Sequence, residues 1–508
     1  MIQKILLILV VLATKTAMGQ AAGTLDTSFG TNGKVLFSYA SNYDCHANGV
    51  AVQSDGKIVV VGYTGSATTQ GDYTVTRLHP DGTFDTTFGI GGKLNLNLLN
   101  TDIAEKVIIA NDGKIYVGGT SGGTSIYSGD NFTVIRLNSN GSYDTTYGNN
   151  GKAVVTFNGN YNFFKNMTLQ SDGKLLVCGK NTVDTTGNYS DFAVARFNAD
   201  GTLDFDFSND GKLTLNIRNE DVATAIMVDA TGNIIVAGTG SSQACFARYF
   251  SDGTLDTSFG TAGKINIAIA GLSTAVYDAK MQSDGKIVVA GYSYDSNNGG
   301  YNSLIARFNT NGTLDTSYGT NGYTIKDIDT ASEDQNIALL LQPDGKAITC
   351  GRVNTGGTYY FSILRFTTAG VFDTTFSNDG ILLTSFGTSW NFGMGLSLQP
   401  DGKLVVVGYY DDLFDHTAIA RYHTGVALTN EIFNYSDLKL VPNPAKETLV
   451  LSSSENFESN YTIYDVSGRT IKTGVALSNQ NINISALQIG VYYLKLENTT
   501  QTIPFLKN

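Results

Sequence analysis

The side chains of this sequence best suited to recognise or process a ligand are the aromatics Tyr43, Tyr161, Trp390, Tyr409 and Tyr410, with the acids Asp44, Asp411, Asp412 and Asp415. Aromatic rings beside carboxylates and amides offer an apolar face with a polar edge, which suits a sugar ring or a peptide. Tyr43, Tyr161, Trp390, Tyr409, Tyr410 and Asp412 are the candidate ligand-binding residues. Two carboxylates about 5–10 Å apart in one pocket would add glycoside hydrolysis. Other chemistry is poorly served. Gly119-Thr120-Ser121-Gly122-Gly123 fits GxSxG, but that motif needs a strand–turn–helix elbow, and a glycine-rich loop after a hairpin is expected here. His46, His79, His416 and His423 are far apart in sequence, so no metal site is expected. Cys45, Cys178, Cys245 and Cys350 show no paired spacing, which points to free, buried thiols. No catalytic residue and no cofactor are expected, and the chain reads as a non-enzyme.

The candidates fall in loops of variable length between segments that recur. GTLDTSFG at 23–30 returns as GTFDTTFG at 82–89, GSYDTTYG at 141–148, GTLDFDFS at 201–208, GTLDTSFG at 253–260, GTLDTSYG at 312–319 and GVFDTTFS at 370–377. The period is about 59 residues, the spacing from Asp26 to Asp85 and from Asp85 to Asp144. A second segment, VQSDGKIVVVG from Val52, recurs with its Asp-Gly turn and β-branched run; the copy from Val228, VDATGNIIVAG, is degenerate. Asp-Gly here predicts a two-residue hairpin turn, followed by a strand buried on both faces. A third mark is an arginine in an apolar strand: Arg77, Arg136, Arg196, Arg248, Arg307, Arg365 and Arg421. Six of these stand eight residues before an aspartate of the first mark, as Arg77 does before Asp85 and Arg136 before Asp144. A fixed arginine–aspartate offset reads as a structural tie by a charge-assisted hydrogen bond, not as acid–base chemistry.

Each period holds four short strands, in the first copy near 49–53, 57–63, 73–79 and 92–98, with no helical periodicity. Four-stranded units at this period predict an all-β chain built as a seven-bladed β-propeller. Asp26 lacks an arginine before it and Arg421 an aspartate after it. Placing the strand near 33–38 in the last blade resolves both and closes the ring. The a–b and c–d turns then share one nearly uniform face. The variable b–c and d–a loops, which carry the candidate residues, share the other, where function usually resides.

The net charge is −12, the sign opposite to that of nucleic-acid binders, so no nucleic-acid partner is expected. With 42% apolar residues the chain can bury a core. Residues 1–19 have the layout of a signal peptide: Lys4, the apolar run Ile5–Ala13 and Ala17-Met18-Gly19. That run is too short to span a bilayer, and no transmembrane segment is expected.

The hairpin, the arginine strand and DGxLDxxFG together resemble the delta-60 repeat family over about residues 23–424. The resemblance implies a propeller and assigns no activity. After Ala427 the repeat is lost and alternating strands suggest a small β-sandwich. Pro442-Asn443-Pro444, Asp465-Val466-Ser467-Gly468-Arg469, the Leu487, Gly490, Tyr492 and Leu494 pattern and Lys507 resemble a type A sorting domain of the type IX secretion system of Bacteroidota. That resemblance implies type IX machinery as a partner and a secreted or outer-membrane surface-attached product. The expected organisation is a signal peptide (1–19), a propeller (20–424), a linker (425–436) and a sorting domain (437–508). The expected role is a binding or structural protein, scaffold or adhesion-like, with a glycan or protein ligand on the variable face. The alternative is an extracellular propeller enzyme, a polysaccharide lyase or glycosidase.

Overall fold

Strand runs rich in Val, Ile and Leu, each bounded by a glycine turn, fold into seven four-stranded antiparallel sheets. The computed structural model describes residues 21–39, 42–66, 69–122, 131–158, 161–184, 189–296, 299–329, 333–425, 439–452, 458–465, 469–477, 479–496 and 502–508. The signal-peptide segment, most of the linker and Gly468 lie outside the described residues. The first sheet comprises strand a (Asp44–Val52), b (Ile58–Ser66), c (Thr69–Leu78) and d (Lys93–Leu96). Strand a starts five residues before the expected 49 because it stays paired with b from Asp44↔Gly65 through a β-bulge. Strand d is short, since it meets c only from Tyr73 to Thr76.

The a–b turn differs from the two-residue hairpin expected. Gly56 N–H donates to Gln53 O at 2.9 Å and Gln53 N–H to Lys57 O at 2.8 Å, so three residues, Ser54 to Gly56, sit inside the loop. Gly56 takes φ +80°, the left-handed position that ends such a turn.

Lys34–Phe37 pairs antiparallel with Asp415–Tyr422, from Lys34↔Ala420 to Phe37↔Thr417. The last sheet is therefore completed by the first strand of the chain, which removes a free sheet edge. The core is not one mass. Seven hydrophobic clusters each join two successive sheets, and the last, with Phe29, Ile58, Val60, Val405, Val407 and Ile419, joins the seventh to the first. The four cysteines are free and buried, and burial pushes the Cys245 thiol up to about 12.

On the uniform face, each strand-c arginine pairs with its aspartate at 2.6–2.8 Å: Arg77–Asp85, Arg136–Asp144, Arg196–Asp204, Arg248–Asp256, Arg307–Asp315, Arg365–Asp373 and, across the closure, Arg421–Asp26. The same guanidinium lies 4.5–4.7 Å over the ring three residues past the aspartate, as Arg77 does over Phe88 and Arg136 over Tyr147. Its other arm reaches a backbone carbonyl of the next sheet: Arg136 to Ala199 (2.7 Å), Arg248 to Thr310 (3.0 Å) and Arg307 to Thr368 (3.1 Å). Arg77 reaches Ser139, Arg196 Ser251, Arg365 Thr424 and Arg421 Pro80 in the same way. The lysine of the a–b turn adds a second cation, Lys57 to Asp85 at 3.6 Å and Lys114 to Asp144 at 3.1 Å. In the degenerate fourth copy Asn233 replaces that lysine, and among the described residues Asp256 is held by Arg248 and Ser258.

The second unit, 428–508, has two sheets. Lys439–Val441, Thr448–Ser452 and Asn481–Asn483 form one; Glu458–Asp465, Thr470–Leu477, Gly490–Leu496 and Thr502–Lys507 form the other. Leu440, Leu449, Leu451 and Ile482 of the first meet Ile463, Leu494, Leu496 and Phe505 of the second in one core. Asn443, between Pro442 and Pro444, clamps the last strand, donating to Pro504 O (3.2 Å) and accepting from Leu506 N–H (2.9 Å). Arg469 Nε donates to Asp465 at 3.0 Å across the hairpin. Gly490 opens the strand on which Tyr492 is buried against Phe505, and Lys507 is buried near the end.

Burial raises the Asp85 carboxyl, but the Thr87 hydroxyl and N–H, with the charges of Arg77 and Lys57, outweigh it and hold it at about 2. Its stabilisation is therefore full above the unfolded value near 3.9 and lost as pH falls towards 2. Thermal melts of the purified protein should show a propeller transition that falls steeply between roughly pH 4 and 2. Asp85→Ala, which strands the buried Arg77, should cost about 3 kcal/mol at neutral pH. Asp256→Ala should cost less, since no turn lysine is lost there. An Asp85→Ala protein melting with the native one would refute the tie.

Candidate functional site

The inner strands of the seven sheets are Asp44–Val52, Asp102–Ile109, Tyr161–Leu169, Asp221–Val228, Ser273–Met281, Gln335–Leu341 and Trp390–Leu398. Each carries a β-bulge at the same place, and the unpaired residues are Asn48, Glu105, Lys165, Thr224, Tyr277, Ile337 and Met394. Opposite the bulge, strand b always has glycine: Gly62, Gly119, Gly179, Gly238, Gly291, Gly351 and Gly408. A Cβ there would lie 1.8–2.0 Å from a strand-a carbonyl oxygen in every copy, so only glycine admits the close approach. The bulge in turn aims its extra residue off the ladder.

All seven bulge residues line one cavity of about 470 Å³ on the ring axis. The volume falls in the roughly 300–1,000 Å³ range of ligand sites. Starts of strand a (Val222, Ala275, Gln335, Phe392) and ends of strand b (Thr239, Tyr292, Arg352, Tyr409) complete the wall. The cavity therefore lies at the end of the channel bordered by the b–c and d–a loops.

Its two sides differ. The fifth to seventh sheets supply an aromatic arc: Tyr277 against Tyr292 (5.6 Å between centroids), Phe392 stacked on Tyr409 (4.7 Å), and Tyr359 against Phe392 (5.2 Å) and Trp390 (5.4 Å). Arg352 lies over Tyr359 and Phe392 and pairs with Glu333 at 3.1 Å. The first to fourth sheets supply Asn48, Glu105, Lys106, Lys165, Thr224 and Thr239. Lys165 pairs with Glu105 at 3.1 Å.

Beside the arc, His46 lies between the rings of Tyr63 (4.6 Å) and Tyr409 (3.9 Å), and its Nε2 bonds Asp415. Asp44 accepts the Asp415 N–H at 3.2 Å, tying the first sheet to the seventh. Burial, then the charges of Asp415, Asp44 and Asp412, raise the Asp411 carboxyl above its usual range.

Of the sequence-derived candidates, Tyr409 lines the cavity and Trp390, 46% exposed, stands on the rim beside Tyr359. Tyr410 is buried in the cluster between the sixth and seventh sheets, because alternate residues of a strand face opposite ways. Asp412 is turned outward, accepting the Leu413 and Phe414 N–H groups and meeting His416 at 3.2 Å. Tyr43 sits in the turn before its inner strand and Tyr161 at the head of the third; neither lines the cavity. Tyr127 lies outside the described residues. Ser121 is buried in a strand and bonded to Thr133. His79 and His423 approach Asp85 (3.9 Å) and Asp26 (3.7 Å) on the uniform face. Among the described residues no group of three or more His, Cys, Asp or Glu is placed to hold a metal, and no helix is long and apolar enough to cross a membrane.

Sequence reasoning missed the bulge residues, yet they carried a signal. Each stands eight residues before the glycine of the a–b turn, from Asn48 and Gly56 to Met394 and Gly402. No two are alike inside an otherwise constant repeat.

The repeat matches the family described as Domain of unknown function (DUF5122) beta-propeller, over residues 53–88, 110–147, 170–207, 230–259, 282–318, 342–376 and 399–425. Residues 439–504 match the family described as Secretion system C-terminal sorting domain. No curated protein sequence matches the chain. Similar solved structures include an ulvan lyase of polysaccharide lyase family PL25 (12% identity, 77% of this chain and 95% of that one, TM-score 0.45). Virginiamycin B lyase from Staphylococcus aureus is another (11% identity, 76% and 97%, TM-score 0.42). A third is PorZ, a surface component of the type-IX secretion system of Porphyromonas gingivalis (12% identity, 90% and 58%, TM-score 0.36).

Gly291→Ala would place a methyl carbon 1.9 Å from Ala275 O. The variant should melt well below the native protein, or fail to fold, by differential scanning fluorimetry. A native melting temperature would show that the bulge does not require glycine.

Proposed function

Since the chain carries seven DUF5122 beta-propeller repeats and ends in a secretion-system C-terminal sorting domain, it is a cell-surface or secreted protein directed to the type IX machinery, and we propose that its propeller is a binding scaffold that takes a glycan chain at the channel mouth. The aromatic arc of Tyr277, Tyr292, Phe392 and Tyr409 is the observation that carries this reading. Tyr277, Tyr292 and Tyr409, partly exposed and facing polar groups across one cavity, suit the apolar face and hydroxyl edge of a pyranose. The variable residues line the site while the repeat keeps its frame constant, the arrangement of a recognition surface on a rigid support.

A second reading, a propeller enzyme acting on polysaccharide, draws on the His46–Asp415 pair between Tyr63 and Tyr409 and on the raised carboxyl of Asp411. These are groups able to hold or move a proton at a sugar.

A glycan array with the full chain, followed by titration of tryptophan fluorescence, tests the first reading. Trp390 is the sole tryptophan and stands on the rim, so ligand entry should change its emission, and Tyr409→Ala should weaken binding by about tenfold, as for loss of one aromatic contact. Absence of any glycan ligand would sink it. Reducing-sugar release abolished by Asp411→Asn would establish the second reading instead.

A further inference from the structure

Among the described residues the mouth cavity gathers positive charge inside an acidic protein. Its lining includes Lys106, Lys165 and Arg352 against one acid, Glu105, whereas the whole chain has 33 basic and 45 acidic side chains. Two of the three cations are satisfied, Lys165 by Glu105 and Arg352 by Glu333, both at 3.1 Å. Lys106 is not. It is half-buried in the second inner strand, beside the bulge at Glu105, and borders both this cavity and the next one along the axis. Its ammonium has no hydrogen-bond or ion-pair partner among the described residues. The acid of the further cavity, Asp278, is taken by Lys280 (2.9 and 3.1 Å) and by the Leu339 N–H (3.0 Å). A cation held partly out of water without a counter-charge is unfavourable unless something pairs with it.

We propose that the glycan taken at the mouth is acidic, and that Lys106 seats the carboxylate or sulfate of a pyranose ring. The inference rests on the glycan reading above and adds the ligand's charge to it. Lys106 belongs to the second sheet, and the aromatic arc comes from the fifth to seventh across the channel. A ring lying against Tyr409 or Tyr277 can therefore turn its anionic substituent towards Lys106. Lysine is suited to either anion, since its three donors sit on a flexible stem and demand no planar fork. The acidic exterior repels polyanions in general, so an anionic ligand must be recognised at this one place.

The test is isothermal titration of the full chain with an oligogalacturonate, a sulfated galactan oligosaccharide, a neutral galactan oligosaccharide of the same length, and oligoglutamate. At least one acidic sugar should bind at least about tenfold more tightly than the neutral one, the order of a single charge-assisted hydrogen bond, and the arm that binds identifies the anion. Lys106→Met should reduce the acidic sugar to the level of the neutral one without lowering the melting temperature, and Lys106→Arg should restore the preference. Should Lys106→Met not fold, Lys106→Gln serves the same comparison. Equal binding of acidic and neutral sugars, or a preference that survives loss of Lys106, would overturn the inference and leave the glycan reading standing. Oligoglutamate binding as tightly as the acidic sugars would overturn it in favour of an acidic peptide. Failure of every saccharide would overturn both.

Discussion

A ring of sheets keeps its shape only if each sheet is held to both neighbours, and here one side chain per repeat makes that tie on the uniform face. The strand-c guanidinium neutralises its own aspartate, covers its own aromatic ring and donates to a carbonyl of the next sheet. The planar fork of arginine serves these partners at once, which a lysine could not do. Because the tie from Arg421 lands on Pro80, the series has no end, and Lys34–Phe37 finishes the seventh sheet from the other side. Seven inter-sheet clusters of Val, Ile, Leu and Phe add the apolar adhesion, but they are non-directional; the charged ties fix the angle between sheets.

With the frame fixed on one face, the other end of the channel is free to vary. The strand-b glycine is what separates the two functions. It lets a strand-a carbonyl come so close that an alanine would clash, and the bulge this permits pushes one residue per sheet towards the axis. Position eight before the turn glycine thus became a socket whose occupant the repeat does not fix, although Asn48 and Thr224 use it to bond the next sheet, at Ala104 O and Val276 O, both at 2.9 Å. Asn, Glu, Lys, Thr, Tyr, Ile and Met all fill it.

The repeats made the fold legible. Asp-Gly turns, β-branched runs and the offset between Arg77 and Asp85 each point to local structure, and the orphaned Asp26 and Arg421 pointed to the closing strand. The site was only partly legible, for two physical reasons. Loops look functional in a sequence because they vary, which drew weight to Tyr43, Tyr161 and Asp412, whereas the cavity is built mainly from strands. The alternation of a strand also could not be phased without knowing where the bulge falls: Tyr409 faces the mouth and Tyr410 the inter-sheet core, although neighbours in sequence look equivalent. Lys106 was invisible for the same reason, since a lysine in an apolar strand reads as an ordinary solvated residue until the bulge beside it turns it to the axis.

The distribution of charge argues that the mouth is meant to be filled. Acidic residues dominate the chain, yet the described cavity wall holds more cations than anions, and the Lys106 ammonium is half-buried there without an ion-pair partner among the described residues. Such an arrangement is costly for stability alone, because an apolar residue at 106 would pack at the axis with no charge to desolvate. The aromatic arc leads the same way. Tyr277, Tyr292 and Tyr409 are partly exposed on the channel side, whereas rings such as Phe88, Phe132 and Tyr318 are fully buried between sheets. Partly exposed rings and an unpaired cation lining about 470 Å³ are two independent features of the wall, and one ligand bearing a flat apolar face and a negative group, as proposed above, would account for both.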